Sequence, residues 1–431
     1  MESKLNIENL WSLPQKVLFR FFFSYFALFI LFKNNGAYPF YGYIQNFFQK
    51  VLYDFIPWVG KSILGISYEI KTGPNGSGDT TYDYVLLFTI FCIAIVSCIV
   101  WSILDTKRKN YDKLYYWITL AIRFYVGLML INYGMVKVIQ LQFSQPSMYR
   151  LTQNYGDSSP MGLAWTFLGF SKGYNMFMGI AEIAAVLLLF RRTLVFGLII
   201  TLMTTANVMA VNYFYDVPVK ILSTHLFLMS AFLLAHSFGA LFQFFFFRKP
   251  VVLKDIFKPK FGNITSKIFF GIKAFLLIYA LGYGAYSTLE SKEKYYGEAS
   301  KSRMQGLFEI DDFSVKNDSI TPDSLKVKPW KYLMISSKQY AQVKYAEGGR
   351  GKWYKLNVDS LENKISLTDY RDSTKIFDLK FSKLDSINYQ FDGTFTKDTI
   401  FVKAKRYEDY RKKFLLTNRG FHWINERPYN R

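Results

Sequence analysis

Seven apolar runs dominate the chain up to residue 289, and each is long enough to cross a bilayer. A membrane-spanning helix needs about 17 to 25 mostly apolar residues. The runs cover residues 17–32, 84–104, 115–139, 174–190, 193–211, 219–247 and 268–289. We therefore predict an α-helical polytopic membrane bundle of seven transmembrane helices, followed by an extramembrane domain.

The connections between these runs differ in their content of Lys and Arg, which are retained on the cytoplasmic side of a membrane. Three alternate connections are rich in basic residues: 105–114, 191–192 and 248–267. The three other connections hold fewer basic residues for their length: 33–83, 141–171 and 216–220. The alternation has no violation. It predicts a bacterial inner-membrane protein with a cytoplasmic amino terminus and a periplasmic carboxy-terminal domain.

The formal net charge of +21 would suggest a nucleic-acid partner in a soluble chain. Here much of the basic excess lies in the connections predicted to be cytoplasmic, where it anchors the protein to anionic lipid headgroups. We therefore expect the lipid bilayer as the partner of this charge, and no nucleic acid.

From about Gly306 the sequence pattern changes from a helical period to a strand period. Apolar and polar residues alternate around Phe377, Tyr389 and Val402. The pair Asp392-Gly393 lies between two alternating runs, which is a strong hairpin signal. The pattern predicts an all-β domain, either an antiparallel β-sandwich or a small barrel. The aromatic end, 419–431, is either a ligand-binding rim or a tail packed across the sheet.

The chain divides into four regions by composition. They are a two-span region with a periplasmic loop and an interfacial helix (1–113), a four-helix core (114–247), a cytoplasmic loop with the seventh span (248–296) and the β-domain (297–431). Residues 47–66 are apolar but broken by charges and by Pro57, as is typical of an interfacial helix. The cluster 73–79 is typical of a plain loop, and a cradle for a phosphate or carbonyl is the alternative.

Polar residues inside the spans are costly in lipid and normally face the bundle interior. At about 1.5 Å per residue, the predicted topology places a polar layer near the outer boundary. Arg123 shares a helix face with Lys137 of this layer. The ligand-binding hypothesis covers six residues: Arg123, Asn132, Lys137, Glu182, Asn207 and His225. The alternative is a structural ion pair of Glu182 with Lys137, plus caps and hydrogen bonds.

The His and Cys residues of the chain bear on three further chemistries. Haem needs His from facing helices, whereas His225 and His236 share one helix face. Proton transfer by His225 is chemically easier than haem ligation, because a neighbouring Glu182 would raise the pKa of the imidazole toward the working pH. Cys92 and Cys98 are too far apart for a C-x-x-C redox motif, and no metal site is expected. No complete catalytic signature is present, so the sequence leaves open whether the protein is an enzyme.

The polar residues of the spans stand in short motifs that resemble a known family. These motifs are Arg123-x3-Gly127, Tyr133-Gly134-x2-Lys137 and Gly179-x2-Glu182, followed by an Asn-rich fifth span. They resemble the DoxX family of four-helix membrane proteins, which would make region 114–247 a DoxX-like core. The segments 77–82, 155–162 and 215–220 are similar, more narrowly, to a long DoxX-like group found in Bacteroidetes.

The resemblance implies a bundle that holds a quinone or a lipid-like ligand, because DoxX relatives are associated with quinone-linked sulfur oxidation and membrane redox complexes. Our leading hypothesis is an inner-membrane protein that binds such a lipophilic molecule, with quinone as the candidate cofactor. The competing hypothesis is a non-enzymatic envelope-assembly or interaction protein. Its β-domain would bind a periplasmic protein or glycan, and its bundle would be chiefly an anchor.

Overall fold

The computed structural model describes residues 10–73, 76, 78–316, 328–395 and 398–430. The chain forms two compact units. One contains residues 1–142 and 173–288, and the other contains residues 143–172 and 289–431. The first unit is helical and the second is built around a β-barrel.

The helical unit contains a helix at the position of each predicted span and one further helix, α2, between the first two spans. Their bounds are α1 Leu13–Phe32, α2 Gly42–Ser62, α3 Thr81–Leu104, α4 Asp112–Val138, α7 Lys172–Ile183, α8 Leu194–Phe214, α9 Lys220–Phe247 and α10 Asn263–Ile278. A 3-10 segment, Ala184–Leu189, extends α7, and a π-helical turn, Tyr279–Tyr283, joins α10 to α11, Gly284–Tyr296. Seven helices of the described chain are long and apolar enough to cross a membrane, which confirms a helical membrane protein.

Helix α4 lies at the centre of the helical unit. In its apolar stretch 67% of the residues are buried, compared with 6% in the helix that starts at Asn263. Buried side chains such as Ile122, Tyr125 and Met129 form one apolar cluster with residues of the first span and of α9. The seventh span is therefore peripheral, and most of its side chains are left for lipid.

Capping residues at the predicted span ends fix where two of the helices begin. Ser12 and Gln15 form a reciprocal capping box at α1, and Thr80 and Asp83 form one at α3. Asp79 accepts the backbone N–H groups of Lys220 at 2.6 Å and Ile221 at 3.0 Å. A carboxylate thus lies at the positive end of α9.

Two sequence predictions concern the long connection after the first span. In the cluster 73–79, residues 74, 75 and 77 lie outside the described part of the chain, and the described Asp79 caps α9. Helix α2 covers most of 47–66 and contains Pro57. It exposes Phe47 and Trp58, which is the amphipathic character expected of an interfacial helix.

The second unit contains a closed antiparallel barrel of eight strands in simple up-and-down order. The strands are β1 Gly306–Lys316, β2 Trp330–Ile335, β3 Tyr340–Tyr345, β4 Lys352–Asp359, β5 Lys364–Asp369, β6 Ile376–Lys383, β7 Asn388–Phe395 and β8 Asp398–Tyr407. Pairing of β1 with β8 closes the barrel. Of the two predicted architectures the barrel is confirmed and the sandwich is wrong.

Alternate residues of each strand fill the barrel, as expected when a small barrel closes. The fully buried side chains include Phe308, Leu333, Val343, Leu367, Phe391 and Val402. The alternation that predicted the strands therefore also identifies the inward face.

The hairpin predicted at Asp392-Gly393 is wrong, because both residues lie inside β7. Asp392 pairs with Lys380, and Gly393 pairs with Leu379. A Cβ at Gly393 would lie 1.9 Å from the carbonyl oxygen of Asp378. Glycine is required here for the close approach of two strands and not for a turn.

The connection 143–172 forms part of the barrel unit, although the sequence analysis assigned it to the four-helix core. It contains α5 Met148–Leu151 and α6 Pro160–Phe170. Met148 packs with Leu307 of β1 and Met334 of β2. Lys344, which is 6% exposed, donates to the carbonyl oxygen of Thr152. The barrel thus covers part of its outer surface with this connection.

The aromatic carboxy-terminal tail follows α12, Leu415–Asn418. Phe421 is 78% exposed and Trp423 is 91% exposed. Arg419 lies 4.0 Å from the ring centre of Tyr429, which is a contact within the tail. The prediction that the tail packs back across the sheet is wrong, because packing would have buried these rings.

Candidate functional site

Lys137 of α4 and Glu182 of α7 form a buried ion pair in the helical unit. The Lys137 ammonium donates to both carboxylate oxygens of Glu182, each at 2.6 Å. The two side chains are 7% and 3% exposed. The ring centre of Tyr133 lies 5.5 Å from the ammonium and adds a cation–π contact. The structural alternative considered for these two residues therefore has the required geometry.

Two glycines bring the helices of this pair together. A Cβ at Gly134 would lie 2.6 Å from the carbonyl oxygen of Gly179, and a Cβ at Gly179 would lie 2.7 Å from that of Gly134. Neither glycine could carry a side chain without separation of the backbones. The two short motifs identified in the sequence, one on each helix, therefore meet in space.

His225 of α9 belongs to a different cluster, formed with α1. Its Nδ1 lies 2.6 Å from the carbonyl oxygen of Ile221 and its Nε2 lies 2.7 Å from the hydroxyl of Tyr25. The carbonyl can only accept, so Nδ1 carries a proton, and in a neutral ring Nε2 then accepts from the Tyr25 hydroxyl. The imidazole also stacks on Phe29, with ring centres 3.8 Å apart. Neither ring nitrogen contacts Glu182, so the predicted proton transfer between them has no direct route.

The other three predicted site residues lie apart from both clusters. Asn207 is exposed on α8. Asn132 is half-buried and faces Gly284, whose Cβ would lie 3.7 Å from its Oδ1. Arg123 is buried fourteen residues before Lys137 on α4 and donates through Nε to the carbonyl oxygen of Leu188 at 2.8 Å. The structure therefore does not bring the six predicted residues together, because the helices rotate these side chains in different directions.

A cavity of about 250 Å³ lies between the end of α1, the helix α2 and the start of α3. Its polar end carries the ion pair of Lys33 with Asp83, which are 15% and 11% exposed. Apolar side chains form part of the wall: Leu31, Phe32, Phe48, Leu52 and Leu86. Further polar groups come from α2: Gln45, Gln49 and Tyr53.

The sequence analysis did not identify this cavity. Lys33 and Asp83 were interpreted only as the ends of a connection, although charged residues at span ends on two neighbouring helices were a usable signal. The cavity also depends on α2, whose position against α1 and α3 no sequence pattern specifies. Phe32 and Phe48 meet at its wall with ring centres 5.9 Å apart.

The described residues contain no group of three or more His, Cys, Asp or Glu side chains that could hold a metal ion. Cys92 and Cys98 are free thiols on α3. His236 lies beside the carbonyl oxygen of Lys254, with Nε2 at 3.2 Å. It is on the same helix as His225, so the two cannot ligate a haem from facing helices. The chemistry that these residues offer is ion pairing, hydrogen bonding and apolar contact.

The fold and the cavity define a polytopic helical membrane protein with a carboxy-terminal β-barrel. No family model matches the chain, and no solved structure matches it. The uncharacterized protein YwoB of Bacillus subtilis (strain 168) is 38% identical to it over 118 residues, which are 27% of this chain and 70% of YwoB. The chain belongs to the same family as YwoB.

Proposed function

We propose that this inner-membrane protein binds a lipophilic molecule with a polar head, a quinone or a lipid, in the cavity between α1, α2 and α3. The cavity is the observation that carries the proposal. It combines an apolar wall with the charged end formed by Lys33 and Asp83. Ligand sites are mostly apolar with a few polar groups that orient the ligand.

The size and the donors of the cavity favour a small head group. Sites for drug-sized ligands measure about 300–1,000 Å³, so a cavity of about 250 Å³ suits one ring system or one lipid headgroup. Lys33 and Gln45 can donate to the carbonyl oxygens of a quinone, and Phe32 and Phe48 can pack against its ring. An apolar chain would leave beside Leu52 into the bilayer.

The proposal includes a DoxX-like core in region 114–247 and a place in a membrane redox complex. The contacts of Gly134 with Gly179 and of Lys137 with Glu182 support the core, because the two motifs that carry the resemblance meet in one helix pair. In this proposal the pair holds the core together, and the ligand site lies beside it.

Mass spectrometry of lipids and quinones co-extracted with the purified protein tests this function. Leu52→Trp fills the cavity and should remove the retained molecule. The neighbouring Val51→Trp is the matched control, because Val51 is 67% exposed on the outer face of α2, and it should leave retention unchanged. Equal retention by both variants would rule out the cavity as the binding site.

The second candidate function is recognition of a periplasmic protein or glycan by the barrel unit. The exposed rings of Phe421 and Trp423 favour it, because exposed aromatic clusters commonly mark interaction sites. Trp423→Ser should then reduce partner recovery after cross-linking in cells. Trp353→Ser, which alters a 52% exposed residue of β4, is the control. Equal recovery from the two variants would argue against the tail.

A further inference from the structure

Three cations gather around the turn that follows the 3-10 segment Ala184–Leu189. Arg123 comes from α4, Arg191 from the turn after the 3-10 segment, and Lys273 from α10. Arg123 is 6% exposed. The Lys273 ammonium lies 3.8 Å from the ring centre of Phe190, which is the residue before Arg191. The positive groups of Arg123 and Lys273 therefore lie against the short stretch from Leu188 to Phe190, and Arg191 follows it directly.

These cations have no anionic partner in the described chain. None of them takes part in an ion pair with a described residue. Arg123 bonds to the carbonyl oxygen of Leu188 and Arg191 to that of Ile256. Arg191 repels Arg123, and Arg123 in turn repels Lys273.

Burial of like charges without a counter-charge is unfavourable, especially within a membrane. The guanidinium of Arg123 uses only Nε in its bond to Leu188, so both Nη groups stay available for another acceptor. Planar guanidinium groups match the oxygen pairs of phosphate, and a lysine adds a point charge. An oxyanion such as phosphate carries the negative charge and the acceptor oxygens that these donors lack.

Aromatic residues on the elements that carry this cluster are of the kind found at the level of lipid headgroups. Trp117 of α4 contacts Phe261 and Phe269 at ring distances of 6.1 and 5.8 Å. Trp and other aromatic residues concentrate at the membrane boundary. Long basic side chains that start deeper in the membrane can extend to that level. Basic pockets between transmembrane helices are typical sites for anionic lipid heads.

We propose that Arg123, Arg191 and Lys273 form a phosphate-binding site between α4, α10 and the turn after Leu189. The phosphate group is presented by an anionic phospholipid or is free in solution. This site is independent of the cavity proposed for the lipophilic ligand. An anion here would also attach the peripheral seventh span to the centre of the bundle.

Native mass spectrometry of the full-length protein in neutral detergent tests the site. The probes are phosphatidylglycerol, phosphatidylcholine and inorganic phosphate. We expect the wild type to prefer phosphatidylglycerol to phosphatidylcholine. Arg191→Gln and Lys273→Gln should each lower that affinity on the order of tenfold, because each removes a charge-assisted bond to the phosphate. Competition by inorganic phosphate alone would assign the site to free phosphate.

Matched controls separate a built site from general surface charge. Arg192→Gln removes the same charge one residue away at an exposed position, and Lys267→Gln does so on α10. Both should bind phosphatidylglycerol within about twofold of the wild type. Lys273→Arg keeps the charge and should keep the binding if Lys273→Gln does not fold. Equal losses from Arg191→Gln and Arg192→Gln, or no preference for phosphatidylglycerol together with no phosphate binding, would overturn the proposal.

Discussion

Lys137 and Glu182 lean toward each other from two antiparallel helices and meet in a doubly hydrogen-bonded ion pair. Side chains on a helix point back toward its amino-terminal end. Because α4 and α7 run in opposite directions, as the approach of Gly134 to Ile183 and of Gly179 to Val138 requires, the two side chains lean to a common level. The pair compensates both charges, so we expect it to join the helices.

Glu182→Gln should therefore destabilise the protein by about 3–5 kcal/mol, because it leaves the ammonium of Lys137 buried without a counter-charge. The double variant with Lys137→Met should recover most of that loss, since no charge then remains in the apolar contact. Thermal unfolding of the purified variants in one detergent measures both effects.

The exposed pair of Asp216 with Lys220 is the control for this experiment. The Asp216 side chain is 84% exposed, so Asp216→Asn should change the free energy of unfolding by less than about 1 kcal/mol. A double variant as unstable as Glu182→Gln would contradict a structural pair. Loss of a co-purified ligand from Glu182→Gln at unchanged stability would restore the binding hypothesis for these residues.

The close helix contact at Gly134 gives a second prediction. Gly134→Ala places a methyl group 2.6 Å from the carbonyl oxygen of Gly179, so the backbones must separate. We expect a loss of about 1–3 kcal/mol, as for other overpacked contacts, measured by the same unfolding assay. Gly239→Ala on α9 meets open space and should be neutral or stabilising. Equal effects of the two changes would show that the contact does not limit stability.

The spans and the strand alternation could be predicted because burial and membrane insertion act on each segment separately. Hydropathy identifies a helix such as α3 from its own residues, and alternation identifies the inward face of β8 in the same way. The sequence could not decide between a closed barrel and a sandwich, since closure depends on pairing between β1 and β8 at opposite ends of the domain. The hairpin prediction at Asp392-Gly393 was wrong because, in the sequence, a glycine that allows two strands to approach closely looks the same as a glycine in a turn.

Only part of the candidate site could be predicted. Lys137 and Glu182 carry charges that require compensation in lipid, so sequence reasoning found both. Tyr25, the partner of His225, is an ordinary aromatic residue in a span and gave no signal. Asn207 was predicted to belong to the site. The sequence indicates how far along α8 it lies, whereas the rotation of α8 that exposes its side chain depends on packing. The cavity could not be predicted, because it forms only where three separate helices, α1, α2 and α3, pack together.

A cluster on the barrel surface predicts how its stability depends on pH. Glu309 accepts hydrogen bonds from Tyr407 at 3.1 Å and Tyr332 at 3.4 Å and pairs with Lys413. Partial burial alone would raise the pKa of the Glu309 carboxyl. Lys413 and the two hydroxyls lower this pKa by more than burial raises it, so the net pKa lies below its usual value of 4.5. Burial lowers the pKa of Lys413, but its bond to Glu309 outweighs this and raises it above 10.5.

The signs of these two shifts define a pH window. The stability from Glu309 is complete above pH 4.5 and is lost as pH falls through the lowered pKa. The stability that Lys413 contributes is complete below pH 10.5 and is lost as pH rises through its raised pKa. Hydrogen exchange of the β1 amides in the full chain should show that the free energy of opening falls by about 1 kcal/mol or less when the pH is lowered through the pKa of Glu309. Glu309→Gln should remove it, whereas the exposed Glu362→Gln should not. An unchanged acid loss in Glu309→Gln would contradict the assignment.

The last prediction concerns membrane orientation. Reporter fusions at Lys109, Arg192 and Pro250 should give a cytoplasmic signal, and one at Arg431 a periplasmic signal, because basic connections are retained inside. The association of 143–172 with the barrel in one compact unit agrees with the seven-span count, whichever side the barrel faces. That connection follows the third span and the barrel follows the seventh, so an even number of crossings separates them and both lie on one side. A cytoplasmic signal from the carboxy-terminal fusion would invert the orientation, and opposite signals from fusions within 143–172 and at Arg431 would contradict the seven-span count.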